Sequence, residues 1–184
     1  MTWNHSQRLI AASRAFDAAT AAFLSFLEQL PEAETREALP GGWSPSSHAE
    51  HLALTNDVFL SVLKSAQGCT GPIPPFAGAS DYAEDTWNMD APPPATAPPI
   101  LVPPPFITRA VSVTNLRASR ERLAPAIAAA DEAIAAQCVR LPWATISVYQ
   151  MCEWASGHTL RHLWQVNREL QLRTMGIARA GVGG

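Results

Sequence analysis

The sequence is poor in charge. Lys, Arg, Asp and Glu make up 16% of the chain, and the formal net charge is -3. No basic patch with interleaved aromatics occurs, so the electrostatic footprint of a general nucleic-acid binder is missing. Cysteine is scarce as well. Cys69, Cys138 and Cys152 are odd in number, widely spaced and form no CxxC pair. That argues against a disulfide framework and predicts buried free thiols in a reducing, cytoplasmic setting. Long uninterrupted apolar runs are lacking too. Arg8, Arg14 and Asp17 break the N-terminal stretch, which argues against a signal peptide and a membrane-spanning segment. There is no HExxH and no Asp-rich calcium loop. No serine or cysteine triad can be assembled, and no cysteine has the basic surroundings that lower a thiol pKa.

What is present is an ordinary globular composition, 47% hydrophobic over 184 residues. That fits one domain with a sizeable core. Residues 3–30 are rich in Ala, Leu and Phe, and Ile10, Phe16, Phe23, Leu24 and Leu27 recur near helical spacing. Pro31 stops this first helix. A polar link follows, and Ser44-Pro45 then marks a second start: Ser can cap, and Pro suits the first helical position. Leu52, Phe59 and Leu63 give the second helix its apolar face, and Gly68 ends it.

The character changes in residues 68–107. Eleven of the sixteen prolines lie between Pro72 and Pro105. Proline removes amide donors and blocks helix interiors, so this reads as an extended spacer. A third helix is predicted over residues 108–137, with a kink or break near Ala124 caused by Pro125. The last runs over residues 147–175. Residues 177–184 read as a frayed tail. Four long helices and no alternating strand pattern predict an all-α four-helix bundle over residues 1–176.

His158 and His162 stand four apart on the last helix, so both imidazoles share one face and can reach one metal ion. They continue the row of Met151 and Ala155, so they point into the bundle, where polar groups need partners. Zinc and its relatives take three or four ligands, so more must come from elsewhere. His48 and His51, three apart on the second helix, are the histidines available for that; His5 reads as surface.

Two stretches resemble a known family. "GGWSPSSHAEHLAL" is similar to the signature that opens the second helix of DinB-like (DinB/YfiT) proteins, and "HTLRHLWQVNREL" is similar to their closing HxxxHxxQ. The resemblance implies a bundle with an up-up-down-down course. It also implies a divalent metal, nickel or zinc, held by His51, His158 and His162. His51 rather than His48 matches, being eight residues after Trp43 and followed by Leu52. Gln165 matches the polar residue after the histidine pair. Family activities imply a metal-dependent transferase using a low-molecular-weight thiol on a small-molecule substrate. A metal-dependent hydrolase and a non-enzymatic stress-associated bundle, in which a homodimer is compatible, are the alternatives. His48 and Gln165 are candidates for supporting the site, and Trp43, Trp87 and Trp154 for its walls. The sequence departs from the family in its proline-rich insertion and in Ser46 and Ser47, where an acidic residue usually follows the Trp-Ser start.

Overall fold

The computed structural model describes residues 5–65, 97–135, 137–140 and 145–175. Most of the proline-rich connection, with Trp87, and the tail over residues 177–184 lie outside them. The described chain is mostly helical. Its long helices are α1 (His5–Gln29), α3 (Pro45–Ser65), α4 (Arg109–Ala128) and α6 (Val148–Thr174). Between them lie two short helices, α2 (Glu32–Arg36) and α5 (Glu132–Ala135), and a 3-10 turn at Pro99–Leu101.

The helix starts follow local chemistry. The Ser44 hydroxyl accepts from the Ser47 amide at 3.1 Å, so the expected cap on α3 is made. A reciprocal capping box of Ser147 and Gln150 opens α6. Pro125 does not break α4 at Ala124. The helix continues one turn past it and ends at Ala128, because the proline removes one amide near an end where little ladder remains to lose. The chain beyond differs from the predicted long helix. It forms α5 and then a small antiparallel hairpin, β1 (Cys138–Arg140) with β2 (Thr145–Ser147), in which Val139 faces Ile146.

Cross-helix bonds give the direction of each long helix. Arg8 clasps Glu153 at 2.7 and 3.0 Å, joining the start of α1 to the start of α6, so these two run parallel. Arg120 clasps Asp17, and Arg109 donates to the Leu30 carbonyl at 2.7 Å, so α4 runs against α1. Asn115 bonds Glu50 and Arg122 pairs with Asp57, so α3 and α4 run parallel. His48 meets His162, and His51 meets His158, so α3 opposes α6. The course is therefore up, down, down, up, not the expected up-up-down-down. The link between α3 and α4 has roughly 40 residues. At about 3.3 Å per extended residue it is long enough to return along the helices, whereas the link between α1 and α3 holds only α2 and a tight turn.

Two apolar clusters fill the space between the helices. Leu9, Phe16, Phe59, Leu123, Ile127 and Met151 form one. Phe23, Leu27, Leu52, Leu116 and Val166 form the other. Among the described residues α1 is the one helix long and apolar enough to cross a membrane, against the expectation that no stretch is. Its apolar stripe is buried here: Leu9, Phe16, Phe23 and Leu27 lie in the core. His5 is not a plain surface residue either; its ring bonds the Tyr149 hydroxyl and the Ala130 carbonyl. Cys152 is a buried free thiol, as expected, but Cys138 is disulfide-bonded. Wide cysteine spacing carries no signal of such a bond, and the thiol argument for a reducing compartment falls with it.

Candidate metal centre

The antiparallel pairing of α3 and α6 brings four histidines together. His51 Nε2 lies 3.3 Å from His158 Nε2, and His162 Nε2 lies 3.2 Å from the same atom. His51, His158 and His162 thus form a group whose ligand atoms all fall within 4.8 Å of one another. Zinc–imidazole bonds of about 2.0–2.1 Å set the nitrogens of a tetrahedral site about 3.3 Å apart. Both nitrogen separations meet that spacing, so the donor set fits a divalent metal. Imidazole suits zinc, nickel, copper and iron alike, so the spacing does not choose among them.

The protons are arranged to suit the same role. The Leu101 carbonyl can only accept, so His51 donates to it from Nδ1 at 2.8 Å and its Nε2 is left bare. His48 is fully buried and meets His162 through Nδ1 of both rings, 2.9 Å apart. Burial holds all four imidazoles below their ordinary pKa. His48 is pushed down to about 3, by burial first and then by the neighbouring His51. His158 and His162 lie well below the usual range, again by burial first and then by surrounding charges that include Arg161. For His51, burial outweighs the bond to Leu101, which pulls the other way. The group is neutral at physiological pH, and neutral imidazole is the form that binds metal.

A family model of the DinB superfamily matches residues 15–166. The chain belongs to the DinB superfamily. The match spans all three histidines of the group. Comparisons with curated proteins and with solved structures find no significant match.

In this DinB-superfamily chain the ring walls are aromatic. The Trp43 ring lies 4.9 Å from that of His51 and 5.5 Å from that of His48. Trp154 lies 6.1 Å from His158 and packs on Phe59. Gln165 does not join the histidines; it donates to Glu169 at 3.2 Å. Glu169 is itself buried and accepts from the Gly41 amide at 2.9 Å. A side chain at position 41 would put its Cβ 2.8 Å from that carboxylate, so the Glu169 head group would have to shift. Sequence reasoning missed the Leu101 carbonyl. A backbone acceptor leaves no mark in the sequence, and Leu101 sits in the segment that reads as a mere spacer.

Proposed function

We propose that this chain is a metal-binding four-helix bundle, a single domain over residues 1–176, that assists transfer to or from a low-molecular-weight thiol. The observation that carries the reading is the convergence of three neutral imidazole nitrogens, two of whose separations are 3.2 and 3.3 Å. His51, His158 and His162 would hold the ion. Nickel or zinc at this site would supply Lewis acidity, lowering the pKa of a thiol or water at an open position.

The chain's own residues favour an anion there. Three neutral ligands do not offset a divalent charge, and none of the three is a carboxylate. Arg161, between the two α6 histidines, adds positive charge to their surroundings. A thiolate is therefore better suited to the open position than a neutral donor. Trp43 and Trp154 stand beside the rings of His51 and His158, and the Leu101 carbonyl and His48 hold two of the ligands in orientation. The family match supports the fold and the ligand set.

The test is metal analysis of protein purified without a histidine tag, followed by transfer assays with several low-molecular-weight thiols. About one equivalent of zinc or nickel is expected, with consumption of an electrophile that depends on the thiol. No metal uptake on titration would sink the reading. Metal-dependent ester hydrolysis without thiol dependence would replace transfer by hydrolysis.

A further inference from the structure

His51 and His162 are both held through Nδ1, but by partners of different kinds. The Leu101 carbonyl can only accept, so His51 has one possible proton arrangement. His48 is another imidazole, so the 2.9 Å contact with His162 allows two. In one, His48 carries the shared proton. His162 must then be protonated on Nε2, the atom 3.2 Å from His158 Nε2, where a metal has to bind. In the other, His162 donates from Nδ1 and presents a bare Nε2 to the group. His48 then carries its own proton on Nε2, a buried atom with no hydrogen-bond partner among the described residues.

The geometry points to His48 as a positioning residue for His162: its Nδ1 accepts the hydrogen bond that holds His162 with a bare, inward Nε2. This rests on the reading of the three histidines as metal ligands. His48 is not placed among the ligands: its Nδ1 is taken up by His162, and the converging group consists of His51, His158 and His162. Its ring is fixed for the task. It is 2% exposed, and the Trp43 ring stands at 72° to it. Hydrogen bonds of this kind set both the tautomer and the basicity of a ligating histidine. What is particular to this chain is an acceptor that can also donate, so that one proton's position decides whether the site can take an ion.

Cobalt(II) titration followed by its ligand-field absorption tests this on the tag-free full chain, comparing the wild type with His48→Phe and His48→Gln. Phenylalanine keeps a ring in the space but cannot accept; the glutamine amide oxygen can. We expect cobalt to bind His48→Phe about 10–100-fold more weakly than the wild type, and His48→Gln to recover most of the loss. Equal affinity in the wild type and His48→Phe overturns the positioning role and leaves the metal reading standing. So does a glutamine variant as weak as the phenylalanine one. No uptake of cobalt, nickel or zinc by the wild type overturns the metal reading itself, and the inference with it. A measurement free of mutation covers the case in which His48→Phe does not fold. Imidazole nitrogen shifts of the metal-free wild type should show His162 protonated on Nδ1 and bare on Nε2; the reverse tautomer overturns the proposal.

Discussion

Helix α3 buries polar side chains along two seams, and the two are closed in opposite ways. Toward α4, donors meet acceptors. Asn115 donates to both Glu50 oxygens at 3.1 and 2.9 Å, and Asn56 donates to Ser119 at 3.0 Å, whose hydroxyl passes on to the Leu116 carbonyl. These pairs are complete in themselves, although the buried Ser46 hydroxyl, one turn before Glu50 on α3, has no partner among the described residues. Toward α6, imidazole meets imidazole. Nε2 atoms crowd to 3.2 and 3.3 Å, the His51 one bare, and His48 Nε2 has no hydrogen-bond partner among the described residues. Buried polar groups are satisfied as a rule. What sets the α6 seam apart is three metal-ligating nitrogens converging on one place, and that is where a ligand belongs.

The largest expected effect separates the seams outright. His158→Ala removes the nitrogen that both other members of the group approach. It should abolish stoichiometric metal binding and the thermal stabilisation that comes with it. At a hundredfold excess of metal over Kd that stabilisation is about 2.7 kcal/mol in the wild type. His5→Ala should keep both. Differential scanning calorimetry with and without zinc reads the difference, and a zinc-induced rise in Tm in His158→Ala equal to that of the wild type would show the ion bound elsewhere.

The second difference is in pH. The folded pKa of each of the four histidines is depressed, chiefly by burial. Below the ordinary value of about 6.5 the unfolded chain takes up protons that the folded chain refuses, so stability rises with pH in that range. The stability is fully present above about 6.5 and is lost as pH falls toward the folded values, about 3 for His48. Each histidine that stays neutral should cost the metal-free protein about 1.4 kcal/mol between pH 7.5 and 5.5. Urea midpoints at the two pH values measure this; an unchanged midpoint would mean that the rings are solvated and do not form a dry site.

The two seams also differ in how far the sequence reveals them. His158 and His162 show themselves by an i, i+4 spacing that continues the apolar row of Met151 and Ala155, and the Trp43-to-Leu52 motif brings His51 to them. Ser44-Pro45 and Ser147 mark helix starts because capping is local. The rest depends on partners distant in sequence. The direction of α4 rests on pairs such as Asp17 with Arg120, and no periodicity within α4 carries that. Strands as short as Cys138–Arg140 are too brief to show alternation. The Leu101 carbonyl belongs to backbone, and the disulfide of Cys138 joins positions with no motif between them. Asn56 and Ser119 read as ordinary polar residues on two helices until the helices are packed side by side.

The smallest expected effect tests whether the α3–α4 seam is purely structural. Asn56 and Ser119 are both buried, and each is the other's partner. Asn56→Ala removes the donor, but the Ser119 hydroxyl retains its bond to Leu116. The cost should be about 1–3 kcal/mol of stability, from the lost hydrogen bond and the space left behind. Ser119→Ala strands a buried amide and should cost about as much. Removing both leaves neither group unsatisfied, so the double variant should lose less than the sum of the two single losses. The shortfall is the coupling between them. Urea denaturation of the four proteins gives this cycle. Metal affinity, measured on the same four samples, should not move, because neither side chain touches a histidine of the group. A drop in affinity that tracked the loss of stability would mean that α3 cannot hold His48 and His51 in place without its other face. The two seams would then be one unit rather than a closed structural side and an open functional one.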